Sequence, residues 1–572
     1  MIRPLRRPRR SRPARLARIA AAALTALSLA ALTACQAIPS SGPVREGLAN
    51  LSQSEQQVQF NPDGPPAGAS QEEIVRGFVR AGSSSTEDYA IARKFLTPAY
   101  QDQWDPSLGV FVDEGTQSYH TEEGEVGLLS ITGLATVDEH GTFVPIEPGP
   151  PTEARFELEQ VNGEWRIASA PSGVILDKST FTAIWSPRQL YFLTADNRLV
   201  ADTRWFLNRA TLATQIVAEL LAGPSEDMLG VLRGAFPTGT ALTSSSVPVI
   251  DGTAHIDLSI ELLDADPPTM ELVKKQLAAS LQSVPGVSRF ELSVNGVVVD
   301  SAPVALPDNG SSVAEHAGTV VLDGGVFGEY TGGEVHELAG IGDRVAALDP
   351  TAVSLSGDRQ TAAVLNDSGL TWISASEAVQ LDVRGGLVAP SIDRFGYVWS
   401  YASSAPGEIV VTRPGESQEA VSAPWLSGQA PVAVRVSKSG TRIAMLMAEG
   451  DQSVVVVAGV MRDAAGRPIS LGEVATTQLW VAGAPMDLDW IDEMRFAALT
   501  RIGGPGGAGK ITIAAPGQFA VDSGTVADAA SLAGGGTRAA LRVLAGDGRM
   551  YAPQGVGWQR QAEGIELIAK SG

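Results

Sequence analysis

From about Ser312 to the C-terminus a turn-then-strand pattern recurs, and this recurrence constrains the fold more than any other feature of the chain. Leu355-Ser356-Gly357-Asp358, Pro390-Ser391-Ile392-Asp393, Val436-Ser437-Lys438-Ser439-Gly440 and, more weakly, Leu488-Asp489-Trp490-Ile491-Asp492 each precede an apolar run. The runs are Ala362-Ala363-Val364, Tyr397-Val398-Trp399, Ile443-Ala444-Met445 and Phe496-Ala497-Ala498-Leu499. The aligned starts Ser356, Ser391, Ser437 and Asp489 lie 35, 46 and 52 residues apart, near the length of one four-stranded propeller blade. Such a unit cannot bury its apolar faces alone and must stack on neighbours. At roughly 45 residues per blade, 312–572 is predicted to be an all-β propeller of about six blades. The recurring Ser and Asp are expected to satisfy local backbone donors at the turn that opens each inner strand.

The N-terminus is of a different kind. Its first eighteen residues hold eight Arg and no acid, and Ile19 to Leu32 follow as fourteen consecutive small or apolar residues. A spanning helix needs about 20 such residues, so 1–34 reads as an export signal with a basic and an apolar region. Arg6-Arg7 and Arg9-Arg10 lack the rest of a twin-arginine signal, which favours general secretion and leaves the route open. The only cysteine, Cys35, stands directly behind the apolar run. One sulfur permits neither a disulfide framework nor a cysteine zinc site. Residues 35–69, rich in Ser, Gln, Gly and Pro, read as a flexible tether.

Two further modules precede the repeats. In 70–182, Ser70-Gln71-Glu72-Glu73 has capping-box spacing ahead of the stripe Ile74, Val75, Phe78 and Val79. A second helical patch runs from Tyr89 to Leu96, and alternating strands follow, including a hairpin turning at Asn162-Gly163. This is an α+β pattern, two helices on a curved antiparallel sheet. In 187–304 a short hairpin around Ala195-Asp196-Asn197 leads into the stripe Leu212, Ile216, Val217, Leu220 and Leu221, stopped by Gly223-Pro224. Turns at Asp251-Gly252 and Asn295-Gly296 and a helix carrying Met270, Val273, Leu277 and Leu281 complete an α/β module.

Several of these segments resemble known families. Leu32-Thr33-Ala34-Cys35 resembles a bacterial lipobox, which implies an N-palmitoyl, S-diacylglyceryl Cys35 after cleavage and attachment at the extracytoplasmic face of the cell membrane. The 70–182 module resembles NTF2-like folds. Leu220-Leu221-Ala222-Gly223-Pro224, Phe236-Pro237-Thr238-Gly239-Thr240 and Gly252-Thr253-Ala254-His255-Ile256-Asp257-Leu258-Ser259 resemble the GerMN domain of germination and sporulation proteins. Lipobox, Ile38-Pro39-Ser40-Ser41-Gly42-Pro43-Val44, GerMN module and propeller in that order resemble the actinobacterial LpqB lipoprotein family. That resemblance implies an accessory of an MtrAB-type two-component system that contacts the extracellular domain of the sensor histidine kinase MtrB and influences the cell envelope.

Charge narrows the partners. With 42 Lys+Arg against 64 Asp+Glu the net charge is −22. A polyanion gains nothing from such a surface, so no nucleic-acid partner is expected. Removing the signal takes away eight arginines, leaving 34 − 64 = −30 on 538 residues, so membrane attachment rests on the acyl chains.

No enzyme, cofactor or metal site is expected. Gly504-Pro505-Gly506-Gly507-Ala508-Gly509-Lys510 imitates a phosphate loop, but Ile511 replaces the magnesium-binding hydroxyl. Asp264 and Asp266 stand before Pro267-Pro268, where carboxylates favour a helix start over acid–base catalysis. His120, His140, His255, His316 and His336 show no metal-ligand spacing. Trp372, Trp399, Trp425, Trp480 and Trp490 fit packing between blades better than a sugar-stacking face, yet they keep a cell-wall glycan binder as the alternative function. A hydrolase with a dispersed site is the third reading.

Overall fold

The computed structural model describes residues 61–122, 124–299, 302–306 and 318–571. The signal segment, the lipobox residues Leu32, Thr33 and Ala34, Cys35, the tether to residue 60 and His316 lie outside them.

In the first module the Ser70 side chain accepts from the Glu73 amide, and Glu73 accepts from the Ser70 amide at 2.8 Å, so the capping box starts α1 (Gln71–Ala81). Ile74, Val75, Phe78 and Val79 then face one core. α2 spans only Ala90–Arg93, shorter than the apolar patch that announces it. Phe95 and Thr97 instead exchange backbone hydrogen bonds with Ile167 at 2.9 Å each, so sheet pairing ends the helix. The sheet comprises β1 (Gly109–Glu122), β2 (Val126–Asp138), β3 (Phe143–Pro145), β4 (Thr152–Val161), β5 (Glu164–Ser169) and β6 (Val174–Asp177), in the order β5-β4-β2-β1-β6 with β3 on β2. It is antiparallel except that β6 joins β1 in parallel. α3 (Lys178–Ile184), capped by Asp177, passes directly into the second module.

That module opens with the hairpin β7 (Trp185–Leu193) and β8 (Leu199–Leu207), followed by α4 (Leu212–Ala222). Its sheet holds β9 (Val249–Ile250), β10 (Thr253–Leu258), β11 (Arg289–Val294), β12 (Val297–Val298) and β13 (Val304–Ala305). β10 and β11 are parallel, crossed over by α5 (Pro267–Leu281). Leu190, Phe192, Ile216, Leu220, Ile256, Leu277 and Phe290 share the single core this arrangement buries.

Six sheets of four or five strands form the propeller, as the length of the segment and the repeat period predict. Five are continuous in sequence, at 352–382, 391–421, 433–482, 484–526 and 529–562. The remaining blade takes three strands from 319–337 and its fourth from Ile565–Ile568, so the two ends of the domain close the ring in one sheet. Lys570-Ser571 then pairs in parallel with Ser354-Leu355 of the next blade.

The recurring Ser and Asp divide into two roles that the sequence alignment merges. Ser356 and Ser437 close turns locally, their hydroxyls accepting from Thr361 at 3.0 Å and Arg442 at 3.1 Å. Asp393, not Ser391, does this in the third blade, accepting from Tyr397 at 3.0 Å. Ser391 stands two residues earlier on the inner strand and accepts from Val436 of the following blade at 3.2 Å. Asp489 likewise reaches Gly534 of its following blade at 2.8 Å. A shift of two keeps a strand residue on the same face, so hydrophobic alternation alone does not resolve the register.

Candidate functional site

The three modules converge on Trp205 of β8, which is buried. Its ring lies 5.8 Å from Phe143 of β3, 4.7 Å from Phe181 of α3 and 5.9 Å from Phe519 of the propeller. Phe519 also meets Phe143 edge-on at 4.7 Å, within the range favoured by aromatic pairs. Backbone contacts fix the same point. The Trp205 amide donates to Gly141 at 2.8 Å, and its indole N–H donates to the Gly517 carbonyl at 2.8 Å. Both glycines have positive φ, 79° and 74°. A Cβ on Gly141 would meet the Trp205 carbonyl at 2.4 Å, and one on Gly517 would meet the Thr203 carbonyl at 3.0 Å. Only glycine permits both the conformation and the approach.

Beside this cluster opens a cleft of about 400 Å³ lined by all three modules. The first contributes Asp138 and His140, the second Thr203, Arg204, Glu219 and Asp227, and the propeller Arg442 and Gln478. Arg204 is buried, its Nη2 3.0 Å from Asp202 and its Nη1 3.1 Å from the His140 carbonyl. Asp202 also accepts from the Ser225 amide at 2.9 Å. Glu219 lies 3.2 Å from His140 Nδ1 and 3.5 Å from Arg204 Nη1. Burial pushes the Glu219 carboxyl above its usual range, against the pull of His140 and Arg204. Burial also raises Asp227, opposed by a hydrogen bond from Ser225.

A carboxyl raised in the folded state contributes stability below its unfolded pKa and loses it as pH rises through the folded value. Glu219→Gln removes that titration. Measured by calorimetry from pH 7.5 to pH 4.5, the melting temperature of the wild type relative to Glu219→Gln is expected to rise as the pH falls, with the proton bound preferentially by the folded state; a flat difference contradicts this assignment.

A second feature lies at one end of the α/β module. Because β10 and β11 are parallel, their C-terminal ends share an edge, tied where Asp257 accepts from Ser293 Oγ at 2.7 Å and from the Gly296 amide at 2.8 Å. The 3₁₀ turn Ile260–Asp264 leaves β10 there, and β12 pairs with the end of β11. Ile260, Leu263, Val297 and Val298 at this tip are 49–70% exposed. Neither 252–273 nor 290–306 contains a Lys or Arg, whereas Asp257, Glu261, Asp264, Asp266, Glu271 and Glu291 fall within them. The tip is therefore apolar within an acidic surround.

The residues singled out from sequence are not brought together. Asp266 caps α5, accepting from Thr269 at 2.9 Å, and Asp264 ends the 3₁₀ turn. The glycine-rich run 504–510 lies in the connection between two antiparallel strands and enters the second at Gly509, with Lys510 3.2 Å from Asp522. His255 pairs with Glu291 across β10 and β11 at 3.2 Å, and His120 lies 3.3 Å from Glu153. Among the described residues no group of His, Cys, Asp or Glu is arranged to hold a metal ion, and no helix is long and apolar enough to cross a membrane. Trp399 and Trp490 are buried, their indoles donating to Asp393 and to the Arg435 carbonyl at 3.0 Å each. Sequence reasoning missed Trp205, Phe143, Phe181 and Phe519 because no local spacing links them.

Three family models match consecutive parts of the chain: "Lipoprotein LpqB, N-terminal domain" over 64–182, "Sporulation and spore germination" over 189–300 and "Lipoprotein LpqB beta-propeller domain" over 325–567. Lipoprotein LpqB of Cutibacterium acnes is 25% identical over 518 residues, covering 85% of this chain and 86% of that protein. Lipoprotein LpqB of Streptomyces coelicolor is 26% identical over 528 residues, covering 82% and 83%. Among solved structures, the first GerMN domain of the sporulation protein GerM from Bacillus subtilis is similar over 22% of this chain and 95% of its own, at 21% identity and a TM-score of 0.18.

Proposed function

Because this chain belongs to the LpqB lipoprotein family, we propose that it is a non-enzymatic, lipid-anchored protein of the extracytoplasmic membrane face that binds the extracellular domain of an MtrB-type sensor kinase. In this reading it adjusts MtrAB-type signalling and, through it, the cell envelope. The observation that carries it is the apolar, base-free tip of the GerMN-like module. Exposed contiguous apolar surface on a soluble body marks a protein contact, and the acidic surround selects a partner with apolar and basic side chains. An anionic bilayer is repelled by the same charges. The tight junction around Trp205 supports the reading because it presents three modules to the partner as one body. Diacylglyceryl Cys35 holds that body near the kinase, so a weak contact suffices through effective concentration. The output changes only by the difference in affinity for two kinase conformations.

Binding of the purified mature protein to the kinase ectodomain, read by biolayer interferometry, tests this. Val297→Asp together with Leu263→Asp is expected to weaken binding by about tenfold or more with unchanged melting temperature. Cys35→Ser is expected to move the protein from the membrane to the soluble fraction. Binding to wall glycan fragments with none to the ectodomain would replace this reading with the glycan-binding alternative.

A further inference from the structure

The cleft beside Trp205 contains buried polar atoms that the fold leaves unsatisfied. Arg442 is 2% exposed. Its Nη2 donates to the Ala201 carbonyl at 2.7 Å, while Nη1 has no hydrogen-bond partner. Thr203 is buried too, and its Oγ1 has none. Both residues line the cleft. Leaving a buried polar atom without a hydrogen bond is costly, and more so for a charged group, so native proteins pair such atoms with something.

The surrounding charge defines what that partner carries. Five carboxylates and two guanidinium groups line the cleft. Arg204, as buried as Arg442, is already committed to Asp202, the His140 carbonyl, the Gly223 carbonyl and, at 3.5 Å, Glu219. Glu219 and Asp227 are therefore desolvated carboxylates with incomplete compensation. A multiply charged anion would satisfy Arg442 but face the carboxylate surplus. A simple cation would satisfy the carboxylates but leave Arg442 Nη1 and Thr203 Oγ1 as they are. A neutral polyol would offset no charge. A molecule bearing an ammonium and a carboxylate meets both requirements. The volume suits something of amino-acid to dipeptide size, and clefts between domains are common sites for such ligands.

We propose that this three-module junction is a binding site for a small zwitterion, a free amino acid or the end of a short peptide, with its carboxylate on Arg442 and Thr203 and its ammonium toward Asp227 and Glu219. The ligand would touch all three modules, so occupancy stabilises their mutual arrangement through linkage. This site is separate from the exposed tip and stands whether or not the tip binds a kinase.

The test is isothermal titration calorimetry on the mature lipoprotein in detergent, with glycine, L-alanine and glycylglycine as probes and with ethylamine, acetate and glucose as controls. Saturable binding of a zwitterion is expected, with each control weaker by about tenfold or more. The amino-acid and dipeptide arms separate the two sources of the same chemistry. Thr203→Val removes a hydroxyl that has no internal partner, so the fold is expected to keep its melting temperature while zwitterion binding weakens. Asp227→Asn is expected to weaken it through the ammonium. No zwitterion binding to the folded wild type, which would leave water alone in the cleft, overturns the proposal. Equal binding of a control, or binding that neither variant changes, overturns it as well.

Discussion

Asp489→Ala is expected to lower the unfolding free energy by about 3–5 kcal/mol, the range for breaking a buried ion pair from one side. Asp489 is 1% exposed and joins three consecutive blades with one carboxylate. Its Oδ1 lies 3.0 Å from Arg435 Nε in the blade before, and its Oδ2 accepts from the Gly534 amide in the blade after. Alanine leaves the Arg435 guanidinium, itself 1% exposed, with the Pro390 carbonyl alone and leaves the Gly534 N–H without an acceptor. Arg435→Met combined with Asp489→Leu is expected to recover part of the loss, because apolar groups of similar volume replace a buried pair at little cost. The unmet Gly534 amide retains about 1–3 kcal/mol. Urea unfolding followed by tryptophan fluorescence reads both, with Trp490 bonded to the Arg435 carbonyl as a nearby reporter. A single-variant loss below about 1 kcal/mol would show that the carboxylate does not couple the blades.

Deleting residues 565–572 is expected to abolish the folded propeller. Ile565, Leu567 and Ile568 are each buried, and full burial of such a side chain contributes about 1.5–3 kcal/mol. Their sum is comparable with the net stability of a domain, about 5–15 kcal/mol, before the lost sheet pairing with 321–323 is counted. The deletion also removes Lys570, which donates to the Leu488 carbonyl at 2.9 Å and pairs with buried Asp487. Lys570→Met keeps the closing strand and isolates the ion pair, so it is expected to weaken the domain without eliminating its cooperative transition. Calorimetry and limited proteolysis distinguish the two variants. A truncated chain that melts cooperatively at the wild-type temperature would show that the ring does not depend on its C-terminal strand.

Features encoded by neighbouring residues were legible in the sequence. The Ser70–Glu73 box starts α1 because both hydrogen bonds lie within four residues. Asn162-Gly163, Asp251-Gly252 and Asn295-Gly296 all adopt positive φ, as hairpin turns of this type require. Gly223, at φ 111°, ends α4 where the apolar stripe stops. The blade number followed from chain length and period. By contrast, Tyr89 to Leu96 carried a helical stripe whose later part was taken by pairing with Ile167, and β6 joined β1 in a parallel register without a local signal. The candidate site was almost entirely invisible, since Arg204 and Arg442 are ordinary surface residue types whose burial arises where three modules meet.

The order of the modules, their classes and the residues that cap and turn their elements are written in neighbouring residues, because propensity, capping and alternation act over a few positions. Tertiary structure alone decided which inner-strand position spans to the next blade, how the last strand closes the first blade, and that Trp205, Phe143, Phe181 and Phe519 share one cluster. Those outcomes depend on packing between residues up to hundreds of positions apart, where burial and the pairing of desolvated charges, rather than local conformational preference, select the arrangement.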